Sequence, residues 1–261
     1  MSNLSSSCVR LCTAFALMAV CTGCSTIQKF KCNRLDWASL GHEDGRSGLA
    51  GAEAFDARAG SCLEIGATVD ENAYLAGYGE GLAEYCTPES GRETALSGGA
   101  YEGVCPPADE SEFLLGYNEG LESYCTQNSG YAAGTDAKEY LEICPLEIQQ
   151  EFLHGYIAGL DAAVPGLDSR ISALTVEVAQ LESQLRGIDS RRSSYQNLRA
   201  DAKEKGSEAL VDFYEESLSA LNTERMSVQG DLQRSSQTLS GLREKRADID
   251  EWSRKWRASL L

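Results

Sequence analysis

Two kinds of apolar periodicity divide the chain. Between residues 74 and 160 the large apolar side chains come in short stripes. Tyr74, Tyr78, Leu82 and Tyr85 are spaced four, four and three apart, and Phe113, Tyr117, Leu121 and Tyr124 repeat that spacing. Such steps put four side chains on one face of a helix. From Leu167 the stripe is long. Leu167, Ile171, Leu174, Val178, Leu181, Leu185 and Ile188 alternate steps of four and three without a miss, which is the seam of a coiled coil over three heptads. The seam weakens through Arg192, Tyr195 and Leu198. Residues 201–208 are polar and hold Gly206, which predicts a turn. A second helix follows, its apolar side running from Leu210, Phe213, Tyr214, Leu218 and Leu221 to Ile249, Trp252 and Trp256, with Arg225, Ser235 and Arg246 as polar interruptions. Two heptad helices joined by a short turn fold back most simply as an antiparallel hairpin, with the Trp-rich end running past Leu167 to dock on what precedes it. Pairing between two chains, a homo-oligomer, is the rival arrangement.

The short stripes belong to a repeat. Residues 74–105 recur as 113–144 at a constant offset of 39: Gly77, Glu80, Gly81, Tyr85 and Cys86 return as Gly116, Glu119, Gly120, Tyr124 and Cys125. A fixed period of this size marks an array of similar units. Glycine inside a helix costs roughly 1 kcal/mol relative to alanine, so glycines that recur beside the stripe predict close helix–helix approach. A pocket lined by the tyrosines is the functional alternative. After each helix the pattern reads as a Ser/Gly-rich loop ending in Tyr-x-x-[Val/Ile]-Cys-Pro. Trp37, Gly41, Asp44 and Gly45 read as a degenerate first copy of Tyr74, Gly77, Glu80 and Gly81. Phe152, Gly155, Tyr156, Gly159 and Leu160 read as a last copy, and Pro165-Gly166 as its end.

Charge follows the same division. Residues 25–165 hold 24 Asp and Glu against 7 Lys and Arg, whereas residues 166–261 hold 16 against 15. An acidic repeat region argues against nucleic acid and anionic lipid as direct partners, since phosphates need concentrated cations. No Asp-x-Asp loop points to calcium.

Residues 1–23 read as a secretory leader: Arg10 is the sole charge, and the apolar run 11–21 is too short to span a bilayer. Cys21-Thr22-Gly23-Cys24 then resembles the lipobox of bacterial lipoproteins, with Cys21 where that pattern has Leu. The resemblance implies acylation of Cys24, a tether over residues 24–31 and, from Ser25, outer-membrane sorting toward the periplasm. An ordinary leader with a plain thiol at Cys24 is the alternative. Seven cysteines survive removal of the leader, and six remain if Cys24 carries lipid. The equal spacing of 19 pairs Cys86 with Cys105 and Cys125 with Cys144, leaving Cys32 with Cys62 by elimination; a slipped Cys105–Cys125 pairing stays open. Zinc is the other use of paired cysteines, but no CxxC or histidine spacing accompanies them.

The order Asp36-Trp37, Gly41, Asp44-Gly45, Cys62, Tyr74, Gly77-Tyr78, Gly81-Leu82, Tyr85-Cys86, Tyr101 and Val104-Cys105-Pro106 resembles the bacterial lipoproteins grouped as domain of unknown function 2799. The likeness covers roughly residues 32–163. It implies a location and a fold, with no activity to carry over.

Nothing reads as catalytic. His42 and His154 occupy non-equivalent places, and no nucleophile or phosphate loop stands at mechanistic spacing. No cofactor or metal is expected. Asp44, Glu80 and Glu119, which the repeat appearance aligns, are the candidate ligand or surface residues. The expectation is an all-α protein: short disulfide-stapled helical repeats over 32–165, then a coiled-coil hairpin over 166–261. The expected role is a non-catalytic envelope component engaging a protein through the hairpin. A repeat domain binding a cell-wall fragment or cation, with the hairpin as spacer, is the alternative.

Overall fold

The computed structural model describes residues 28–260; the leader, Cys24 and the start of the tether lie outside the described residues. Among the described residues the secondary structure is helical, with no strand. Two compact units are present. One runs to Tyr124 and includes Leu141–Pro145; the other comprises Cys125–Tyr140 and Leu146 onward. The first unit holds α1 (Trp37–Arg46), α2 (Gly51–Glu64), α3 (Glu71–Tyr85), α4 (Pro88–Leu96) and α5 (Glu110–Tyr124). The second holds α6 (Gln127–Thr135), α7 (Leu146–Glu204) and α8 (Glu208–Ser259).

Short helices need firm starts, and the sequence supplies them. Asp36, Asp70, Thr87 and Thr126 each accept the backbone N–H three residues on, capping α1, α3, α4 and α6, and Pro88 sits in the first turn of α4. The helices then pair: α1 with α3, α4 with α5, and α6 with the start of α7. Glycine makes each pairing close. A Cβ added at Gly77 or Gly81 would come within 3.0 Å of the Ala38 or His42 carbonyl, and one at Gly41 or Gly45 would meet the Tyr74 or Tyr78 carbonyl. Gly130, Gly134, Gly155 and Gly159 repeat that arrangement between α6 and α7. Between α4 and α5 the set is Gly91, Gly116 and Gly120, with Ala95 in the fourth place.

This geometry corrects two expectations. The stretches that read as Ser/Gly-rich loops are the helices α4 and α6. Their small residues, Gly91 and Ala95 or Gly130 and Gly134, are four apart because they face a partner backbone, and that imitates loop composition. In addition, α1 is equivalent to α4 and α6, not to α3 and α5. The ends prove it. Gly48, Gly98 and Ala137 all have φ between +49° and +79° three residues past the last small contact position, and each ends its helix with the same pair of backbone bonds. Tyr78, Tyr117 and Tyr156 then donate their hydroxyls to the carbonyls of Leu49, Gly99 and Lys138, one residue beyond. Each pair is thus a hairpin whose second helix pins the turn of the first.

Pro165 makes no break: α7 runs unbroken from Leu146 to Glu204. Proline removes one backbone bond inside a helix, but tertiary contacts hold this one on both sides. Gly155 and Gly159 lock the early part to α6, and Leu167 opens the buried seam with α8. The end of α8 also reaches back past Pro165. Arg257 donates to both carboxylate oxygens of Asp161 at 2.7 and 2.6 Å, and buried Trp256 packs edge-on to Tyr140.

The long helices pack as an antiparallel hairpin with Gly206 at its turn, φ +69°. Cross-links track the antiparallel register: Arg191 to Glu224, Arg225 to Asp189, Ser235 to Glu177 and Arg246 to Asp168. Ile188, Leu218, Leu221, Leu239 and Ile249 are buried between them. Near the turn the phase differs from the expected one. Counting back from Leu218 in steps of four and three gives Tyr214 and Val211, so Leu210 and Phe213 face outward, 48% and 55% exposed.

Candidate functional site

The one charged side chain buried in the described residues is Asp44, at 1% exposure. It stands on α1, and two neighbours converge on it. Arg58 of α2 donates from Nε to Oδ2 at 2.6 Å and from Nη2 to Oδ1 at 2.5 Å; the Tyr74 hydroxyl of α3 donates to Oδ2 at 2.8 Å. Around them Phe55 of α2 packs on Trp37 and Tyr74, with ring centroids 5.9 and 5.1 Å away. Burial pushes the Asp44 carboxyl up, yet the Arg58 guanidinium and the Tyr74 hydroxyl outweigh it and hold the group below the usual carboxylate range. Burial, then the bond to Asp44, drives the Tyr74 hydroxyl well above its ordinary value.

The sister hairpins show what this cluster replaces. Counted from Gly41, Gly91 and Gly130, the Asp44 position is Thr94 in α4 and Ala133 in α6. The Tyr74 position is Phe113 in α5 and Phe152 in α7. The first hairpin therefore exchanges an apolar contact for a charged clamp that fastens α2, a helix its sisters lack. Glu80 and Glu119 stand elsewhere, exposed on α3 and α5. The repeat appearance that aligned them with Asp44 came from the misplaced first copy.

The repeat tyrosines are committed to the fold. Tyr74, Tyr78, Tyr117 and Tyr156 spend their hydroxyls on the bonds described above, and the Tyr101 hydroxyl accepts the Cys105 N–H and donates to Glu110. Cys32 is bonded to Cys62 and Cys86 to Cys105; Cys125 and Cys144 are disulfide-bonded as well. His42 lies 3.1 Å from Glu84 at the surface, and His154 is exposed. Among the described residues no group of three His, Cys, Asp or Glu is placed to hold a metal, and no helix is long and apolar enough to cross a membrane. An open cleft of about 580 Å³ lies beside the hairpin turn between Arg199, Lys203, Ser207, Val211, Asp212 and Glu215.

Paired short helices laced by glycine, pinned by tyrosine and stapled by disulfides define a helical-hairpin repeat protein with a coiled-coil extension. Through residues 36–115 and 107–161 the chain belongs to the family described as protein of unknown function (DUF2799). That match covers every glycine-laced hairpin and leaves most of the coiled coil outside it. Searches of curated proteins and of solved structures give no match.

Proposed function

We propose that the chain is a bacterial envelope lipoprotein, acylated at Cys24 and held in the outer membrane facing the periplasm, whose α7–α8 hairpin is a protein-binding arm. The α6–α7 hairpin is the base of that arm, and the repeat hairpins perform no chemistry. The observation that carries this reading is the contrast between the two ends of the coiled coil. The base end is tied down, with Trp256 on Tyr140 and Arg257 on Asp161. The turn end leaves Leu210 and Phe213 open to solvent beside a cleft, on a helix whose remaining apolar positions mostly face α7. Leu210 and Phe213 are three apart on one helix, and exposed apolar side chains that adjoin one another mark contact sites.

A photoreactive residue at Phe213, introduced in living cells, tests the arm. The expected result is a covalent adduct to one envelope protein, lost when Leu210→Ser is added. An absence of adducts from positions 210 and 213, at normal protein level, makes the hairpin a spacer. Intact mass of the membrane-extracted protein checks the anchor: acyl chains on Cys24 and loss of residues 1–23 are expected.

A further inference from the structure

Three of the seven Lys and Arg in residues 25–165 fall together, at Lys29, Lys31 and Arg34, and no acid occurs between Cys24 and Leu35. The region as a whole carries 24 acids, so its average charge hides a local reversal of sign. The structure holds this segment from behind. Cys32 is buried and bonded to Cys62, and the Asn33 side-chain oxygen accepts the Thr68 N–H at 2.9 Å. With the backbone fastened, Lys29, Phe30, Lys31, Arg34 and Leu35 are exposed, Phe30 at 57%. The Arg34 guanidinium lies 4.4 Å from the centroid of the Phe30 ring, so cation and aromatic are presented together.

We infer that residues 29–35 form a foot that seats on an anionic phospholipid surface, with Lys29, Lys31 and Arg34 among the phosphates and Phe30 and Leu35 at the acyl boundary. Such a surface attracts Lys and Arg that lie within roughly a Debye length of it, about 8 Å. Cations interleaved with aromatic and aliphatic side chains are the composition that interfaces select. Position names the occupant as well as charge does. Lys29 is five residues from Cys24, so the chain between them spans about 17 Å at most. The inference builds on the proposed anchor at Cys24. It adds an orientation: the foot faces lipid, while the acidic helices that follow are repelled by the same surface.

The test uses the full-length protein carrying Phe30→Trp, reconstituted into vesicles with brominated acyl chains. One set is rich in phosphatidylglycerol and the other is phosphatidylcholine alone. Trp37, Trp252 and Trp256 also emit, so the signal is the difference from the parent protein. Quenching of the new tryptophan should be about twofold greater in the anionic vesicles. The excess should vanish at high salt and in the Lys29→Gln, Lys31→Gln, Arg34→Gln variant. Equal quenching in both lipids overturns the foot. So does a triple variant that quenches like its parent while self-associating less, since that assigns the face to the acidic helices of a second copy. Intact mass of the same sample reads the anchor separately. If Cys24 proves unacylated, flotation with the same two vesicle types still reads the foot, and a lack of preference for the anionic lipid overturns it.

Discussion

At the scale of single residues, Asp44 is where the chain departs from its own repeat. A carboxylate 1% exposed is stable only because Arg58 and Tyr74 satisfy it. Arg58→Ala strands that charge and should cost about 3 kcal/mol, read as a fall in the denaturation midpoint. Giving Asp44 and Tyr74 the sister chemistry, with Asp44→Thr and Tyr74→Phe, and making Arg58 apolar with Arg58→Met should recover most of the loss. Arg58→Ala at wild-type stability would mean the clamp contributes nothing. The pH dependence has a definite sign on both sides. Asp44 is lowered in the fold, so its contribution is full above about 4 and drains away as pH falls through the folded value. Tyr74 is raised, so its contribution is full below about 10 and drains away as pH rises through the folded value. The Tyr74→Phe variant should have a shallower alkaline slope than the parent, with Tyr78, Tyr85 and Tyr101, which burial also raises, keeping the rest.

At the scale of elements, glycines two residues apart in α3 have opposite jobs. A Cβ at Gly77 would overlap the Ala38 carbonyl, whereas a Cβ at Gly79 meets nothing within 4 Å. Gly77→Ala must force α1 and α3 apart and should cost about 3 kcal/mol, while Gly79→Ala should gain about 0.5–1 kcal/mol from helix propensity. Thermal denaturation of the two variants separates them, and similar shifts would contradict close packing as the reason for Gly77. The periodic stripes, the glycine row and the heptad seam were legible because each is a repeating steric demand. What misled was composition. The residues TPESGRETAL around α4 resemble a loop, yet a Thr cap, a Pro in the first turn and small residues four apart are a helix start and a contact face. The helix through Pro165 was illegible for a different reason: local propensity ends it, and only packing by α6 and α8 carries it through. Asp44 was singled out by alignment to Glu80 and Glu119, and the clamp partner Arg58 carries no sequence signal, since α2 has no sister from which to read it.

At the scale of the molecule, each compact unit keeps its own closure. In the second, the end of α8 supplies it: Trp256 is 4% exposed against Tyr140, and Arg257 holds Asp161. Trp256→Ala should cost about 3 kcal/mol and raise hydrogen exchange across residues 245–258, while exchange around Ile188 and Leu221 stays as in the parent. Uniform acceleration over the whole hairpin would mean that the coiled coil has no stability apart from this contact.

The unbroken backbone of α7 makes angle a heritable quantity. Because one helix serves both the glycine contact with α6 and the long seam, a single residue inserted after Pro165 would turn everything beyond it by about 100°. The direction in which Leu210 and Phe213 point is thus written in the count of residues between Gly159 and Leu167. Among relatives, changes of length there would redirect the arm without altering one side chain at its turn.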